Sequence, residues 1–187
     1  MTTTDDDTLS LGRARERYFA ANGFGAGGYE ERWIRLKAGP VAFWLPNTSG
    51  RVRAVKLHDL HHVVTGYATT WTGEAEIGAW EIASGCGRFY PAWVLNLYAF
   101  VIGLLIAPWA VFRAFVRGRH STNLYRTETE LRDELLARSV GDLRRALRLD
   151  GPPPSARPAD VAAFAVWSLA AVAFVDGPLA LLLWWSF

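Results

Sequence analysis

His58 and His62 stand four residues apart, one turn of an α-helix, so a helix through them projects both imidazoles from one face. That is how a single helix offers two nitrogen ligands to one ion. Asp59 is rotated about 100° from His58 and about 60° from His62, so its carboxylate can join the pair or orient one of the rings. Glu74 lies twelve residues beyond His62. On one continuous helix that separation is about 18 Å, far more than the few ångströms between ligands of one ion. Glu74 therefore joins the set only if the chain turns back, and the stretch from Gly66 to Gly73 is where the sequence allows it. Two histidines and one or two carboxylates would then surround a divalent ion and leave positions open for water or substrate. His61 points elsewhere and reads as a bystander. Glu76 and Glu81 read as solvated charges, although Glu81, seven residues past Glu74 on the same face, is the candidate for an acid behind the ligands. Histidine pairs with a nearby acid also occur on ordinary polar helix faces, so spacing alone leaves open a face with one buried, hydrogen-bonded histidine.

The elements that must position these residues are helical. Leu57, Leu60 and Val64 form the apolar stripe of a helix over about 52–64. A second helix, over about 73–84, is capped by Thr70 or Thr72 and ended by the glycines at 85 and 87. Residues 92–112 are nearly all apolar and, at about 31 Å, long enough to cross a bilayer. A crossing there would put the 58–74 residues and the 123–149 segment on opposite sides, so a core or interfacial helix trimmed by Pro91 and Pro108 is expected. An arginine-rich amphipathic helix or helix pair follows over 127–149, then a stiff proline-rich linker over 151–158. The stretch 161–187, interrupted by Asp176-Gly177-Pro178, is the expected membrane anchor. Residues 1–12 read as a tail and 13–21 as a short helix. Gly23, Gly25 and Gly28 fit G-x-G-x-x-G, but no strand precedes them and no acid follows at the required distance, so a flexible glycine loop is expected. Alternation suggests a strand only over 40–45.

Composition bounds the function. Hydrophobic residues make up 51% and charged residues 20%, apolar for a soluble protein and well short of a polytopic membrane protein. Nine tryptophans suit a membrane interface or lipid pocket, or else a tryptophan-rich core. A net charge of +2 gives no nucleic-acid footprint. Six acids and three arginines occupy 1–31, whereas nine arginines and five acids occupy 113–148, a basic stretch suited to an anionic surface or ligand. The single Cys86 excludes a disulfide framework and a thiolate zinc site. The polar, acidic start carries no signal-peptide pattern.

The run His58-Asp59-Leu60-His61-His62, eleven residues, then Glu74 resembles the H-D-x-x-H, eleven residues, E signature of the Coq-four family of ubiquinone (coenzyme Q) biosynthesis proteins. Similar surroundings are His62-Val-Val-Thr-Gly-Tyr67, Gly73-Glu74, Trp80-Glu81, Arg117-Gly118 with Asn123-Leu124, and the segment 139–147. The resemblance covers about 50–150. It implies an all-α, membrane-associated protein that binds a divalent metal, zinc by preference, through His58, Asp59, His62 and Glu74, and that holds a long isoprenoid lipid. It also implies oxidative decarboxylation of a polyprenylated hydroxybenzoate ring, with the same four residues catalytic; the alternative is a non-catalytic lipid-binding scaffold for the other biosynthetic enzymes. The glycine-rich N-terminal stretch and the apolar tail depart from the family pattern.

The expected architecture is a flexible segment over 1–30, a helical metal- and lipid-binding domain over 31–150, a linker over 151–160 and a membrane segment over 161–187. Open metal positions would take the ring's carboxylate or phenolic oxygen and stabilise the charge that develops as carbon dioxide leaves. Asp59 or Glu74, if not a ligand, could move a proton. Arg117 and Arg119 would hold an anionic head or flank the membrane, and 92–112 would line the isoprenoid tunnel. Expected partners are the quinone precursor, the membrane, other quinone-biosynthesis enzymes and a second copy of the chain, with no nucleic acid. The expected place is the cytoplasmic face of the cell membrane, or the inner mitochondrial membrane in a eukaryote. Rivals are a two-histidine zinc hydrolase with Asp59 as the base and a small helical membrane protein with no site.

Overall fold

The computed structural model describes residues 7–25, 27–38 and 41–185. Residues 1–6 of the expected tail, Ala26 of the glycine loop, position 40 of the expected strand and the last two residues of the apolar tail lie outside it.

The chain is all-α, as its periodicities predict. Helix α1 (Leu11–Asn22) starts on Ser10, whose hydroxyl accepts from the Arg13 N–H, and stops at Gly23 in the left-handed region. It begins earlier than expected because residues 9–11 are not a free tail. Leu11 donates its N–H to the Arg138 carbonyl, Val140 donates to Leu9, and the Leu11 side chain is fully buried. A two-stranded antiparallel hairpin follows, β1 (Trp33–Ala38) and β2 (Val41–Pro46), in register Trp33↔Pro46. The 40–45 alternation therefore marks one strand of a pair.

Helices α2 (Ser49–Thr65) and α3 (Trp71–Ser84) carry the candidate ligands. Thr48 caps α2 and Thr70 caps α3, each hydroxyl accepting a backbone N–H from the first turn. Gly66, at φ 77°, ends α2 and donates to the His62 carbonyl. Two arginines close that end: Arg144 donates to the carbonyls of Val63 and Val64, and Arg117 to that of Thr65.

The apolar run 92–112 is two helices, not one. Helix α4 (Tyr90–Ile106) ends at Ala107, and α5 (Pro108–Arg119) begins on Pro108, which cannot donate within α4 but is suited to a first helical position. Both pack on α3. The 127–149 segment is also shorter in its pieces than expected: α6 (Leu124–Thr127), α7 (Asp133–Ala137) and α8 (Val140–Leu147).

After the linker, α9 (Pro158–Trp185) runs for 28 residues. Pro158 takes the first helical position, and the Asp160 carboxylate reaches back to the Arg157 N–H. Asp160 also takes hydrogen bonds from Arg119 and His120, pinning α9 to the end of α5. Phe164 sits among Phe100, Phe112 and Phe115, and Trp167 stacks on Trp93 with centroids 5.5 Å apart. The opposite face leaves Val166, Leu169 and Val172 exposed. Helix α9 is long and apolar enough to cross a membrane.

Candidate metal centre

The turn between α2 and α3 folds Glu74 back over the histidine pair. Gly73 makes it possible: a Cβ there would lie 2.0 Å from the Ala68 carbonyl oxygen, so no other residue fits. The Thr69 hydroxyl bonds Asn22 at the end of α1 and fixes the turn from outside. His58 Nε2 then lies 3.1 Å from His62 Nε2, and the Glu74 carboxylate oxygens lie 3.5 Å and 3.4 Å from these two nitrogens. Among the described residues, His58, His62 and Glu74 form one group of donors within 4.8 Å of one another that could hold an ion.

The hydrogen-bond partners assign the tautomers. His62 Nδ1 lies 2.9 Å from the Tyr67 carbonyl oxygen, which can only accept, so Nδ1 carries the proton. His58 Nδ1 lies 2.8 Å from Glu81 Oε1 and carries one for the same reason. Where neither Nε2 carries a proton, two lone pairs face each other at 3.1 Å, an arrangement that a shared cation, a proton or a metal ion, resolves. Two imidazoles on one tetrahedral zinc at about 2.05 Å would stand about 3.3 Å apart, so the donor set fits such an ion with little movement.

Electrostatics favours positive charge here. Burial opposes a charge on His58, but the Glu81 carboxylate and hydrogen bonds with Glu74 and Glu81 outweigh it and lift the ring well above its ordinary value. Burial likewise works to raise Glu74, yet hydrogen bonds from His58 and His62 hold it at about 2. Glu81 is fully buried, and burial opposes its charge too. The His58 charge and the hydrogen bonds from His58 and His61 prevail and keep its carboxyl below the usual carboxylate range.

Asp59 stands outside the three-donor group. Its carboxylate accepts the Tyr29 hydroxyl, which the glycine loop brings over the site. Burial raises the Asp59 carboxyl, against the pull of Tyr29 and the two histidines. Tyr18 of α1 stacks on His62 at 5.5 Å. The glycine loop follows a helix rather than a strand, with Gly23, Gly25, Gly27 and Gly28 all at positive φ. No protein-family model, curated protein or solved structure matches the chain.

His61 is not a bystander, and Glu81 is not solvated. His61 Nδ1 lies 2.6 Å from Glu81 Oε1, and its Nε2 accepts the Leu124 N–H at 3.0 Å. Burial lowers this ring despite Glu81. Asn96 of α4 donates to Glu81 Oε2 at 2.5 Å. A signal for this was present in the sequence: Ile77, Ala79, Trp80 and Ile82 surround Glu81 with apolar residues, and an acid on such a helix must be paired. Arg117 and Arg119 are spoken for by Thr65 and Asp160.

The ligand edge opens into a cavity of about 1380 Å³. His58, Asp59, His62 and Glu74 line it together with Tyr18, Phe24 and Arg51, and α4 contributes Ala92, Val94, Leu95, Ala99 and Ile102. Trp71 and Tyr98 line it too and are exposed to solvent.

Proposed function

We propose that the chain is a metal-dependent protein of ubiquinone or related quinone biosynthesis, acting in oxidative decarboxylation of a polyprenylated hydroxybenzoate. The observation that carries this reading is the position of the His58, His62 and Glu74 donors in the wall of a large, mainly apolar cavity. A polyprenylated aromatic acid has the same division, one charged ring and a long apolar chain. The resemblance of residues 58–74 to the Coq-four signature points the same way.

His58, His62 and Glu74 would hold a divalent ion, zinc by preference, with Asp59 beside them; when bound, the ion supplies Lewis acidity at the ring's oxygens. The protein's residues do the rest. Helix α4 holds the isoprenoid, and Trp71 and Tyr98 flank its entry. Asp59, with its raised carboxyl and the Tyr29 hydroxyl on it, can hold or deliver a proton near the ring. Replacing an aryl carboxylic acid by a phenol consumes one water and releases carbon dioxide, two protons and two electrons, so an oxidant such as dioxygen must also enter. The exposed apolar face of α9 and the aromatic Trp71 and Tyr98 support a role at a membrane surface, where the precursor would be the ligand and other quinone-biosynthesis enzymes the neighbours.

The test is complementation. In a strain lacking its native decarboxylation gene, the wild-type chain should restore quinone, and Glu74→Ala should stay folded yet accumulate the carboxylated precursor. Chelator treatment of purified protein should remove the activity, and zinc should return it. Wild-type quinone levels with Glu74→Ala would refute the catalytic reading and leave the lipid-binding scaffold.

A further inference from the structure

The interior carries a charge that the three ligands do not explain. Glu81 lies on α3 about two turns beyond Glu74, fully buried, and both of its carboxylate oxygens accept hydrogen bonds. Oε1 takes Nδ1–H from both His58 and His61, at 2.8 Å and 2.6 Å, and Oε2 takes the Asn96 amide at 2.5 Å. His61 cannot neutralise it. Its Nε2 accepts the Leu124 N–H, so the ring is neutral and serves only as a donor to Glu81. The charge of Glu81 can therefore be balanced through His58 alone, by whatever cation His58 Nε2 meets. A neutral glutamine would fit this space without the desolvation cost of a buried carboxylate.

We propose that Glu81 is a positioning residue for the metal centre: held by His61 and Asn96, it fixes the proton of His58 on Nδ1 and aims the Nε2 lone pair at the ion. This rests on reading His58, His62 and Glu74 as ligands. It adds that the ligand set is tuned from inside the core, by a carboxylate behind one histidine, while a backbone carbonyl orients the other. The two ligand histidines are thus unequal. His58 is the more basic ligand because its partner is anionic, and the site gains negative charge without giving up an open coordination position. Leu124 and the buried Asn123, which donates to Ser84 and Gly85 just after Glu81, tie this arrangement to the start of α6.

The experiment uses zinc alone as the probe, with the full chain. Affinity is measured by competition with a chromophoric chelator for wild type, Glu81→Gln, Asn96→Ala and His62→Ala, and the melting of each is followed after chelator stripping. Glu81→Gln should bind zinc 10–100-fold more weakly, the range typical of such outer partners. Its stripped form should melt at or above the wild-type temperature, because a buried charge is gone. Asn96→Ala, which leaves Oε2 unheld, should weaken zinc by about three- to tenfold. A merely structural Glu81 predicts the reverse, a lower melting temperature with unchanged affinity. Zinc affinity within twofold of wild type in Glu81→Gln overturns the proposal, and if that variant fails to fold, the same result in Asn96→Ala does so. Wild type binding zinc no better than His62→Ala would instead overturn the metal reading itself, and this assignment with it.

Discussion

Helix α5 crosses α3 at Gly118, and replacing that glycine by alanine gives a prediction whose sign opposes helix propensity. A Cβ at 118 would stand 2.4 Å from the Trp80 carbonyl oxygen, 2.8 Å from the Ala83 Cβ and 3.1 Å from the Trp80 carbonyl carbon. Reaching an ordinary contact of about 3.4 Å needs a shift of about 1 Å between two packed helices. The clash is with backbone, which has no rotamer to change, so the overpacking cost belongs near the top of its range, about 3 kcal/mol. Alanine returns about 1 kcal/mol of helix propensity. The net loss is about 2 kcal/mol, or about 4–8 °C in melting temperature for a domain of this size. Because α3 also carries Glu74 and Glu81, zinc affinity should fall in the same variant. Urea denaturation gives the stability, with Gly50→Ala as control, since its Cβ would meet only Pro91 Cγ at 3.8 Å. A Gly118→Ala protein as stable as wild type would refute the close crossing that positions the acids.

Three further outcomes are expected. His61→Ala should cost about 3 kcal/mol in urea unfolding, because it strips a donor from buried Glu81 and leaves the Leu124 N–H unpaired; unchanged stability would return His61 to a bystander. Asp160→Ala removes partners from Arg119, His120 and the Arg157 N–H, and should loosen α9 by about 2 kcal/mol, read as lost Trp93–Trp167 near-ultraviolet circular dichroism. The double change Val166→Glu with Leu169→Glu, at positions 65% and 73% exposed, should cut co-sedimentation with anionic vesicles at least about tenfold while leaving the melting temperature unchanged. Undiminished sedimentation would mean that this face does not meet lipid.

What could be read from the sequence was local. Thr70, Gly66 and Gly73 announce a helix, a stop and a tight return through their own backbone preferences, so the meeting of Glu74 with His58 and His62 followed from spacing and one turn. Pro108 was legible as a limit to the apolar helix, but not as the first residue of a second one. Glu81 and His61 were misjudged because their roles depend on residues distant in the chain. Asn96 comes from α4 and Leu124 from beyond α5, and helical periodicity says nothing about which polar side chains a core will enclose. Asp59 was grouped with the ligands by rotation about the helix axis, whereas the Tyr29 hydroxyl, thirty residues upstream, takes its carboxylate. The hairpin and the early start of α1 were obscured for the same reason: pairing partners define them, not composition.

The tie between Asp7 and α8 bears on how the chain assembles during synthesis. His58 and Glu81 are 23 residues apart, whereas the Arg144 pair with Asp7 closes a loop of 137. Loop closure costs grow with separation, and local contacts form first. The α2–α3 hairpin can therefore organise its histidines while the rest is still emerging, with α1 held only by Asn22–Thr69 and Tyr18–His62 until Arg138 and Arg144 have left the ribosome. In pulse-labelled hydrogen exchange the amides of 57–64 and 74–82 should gain protection before those of 11–19. During that interval the aromatic cover over the ligand set would be less firmly held, an early window in which an ion could load before α1 is locked at both ends.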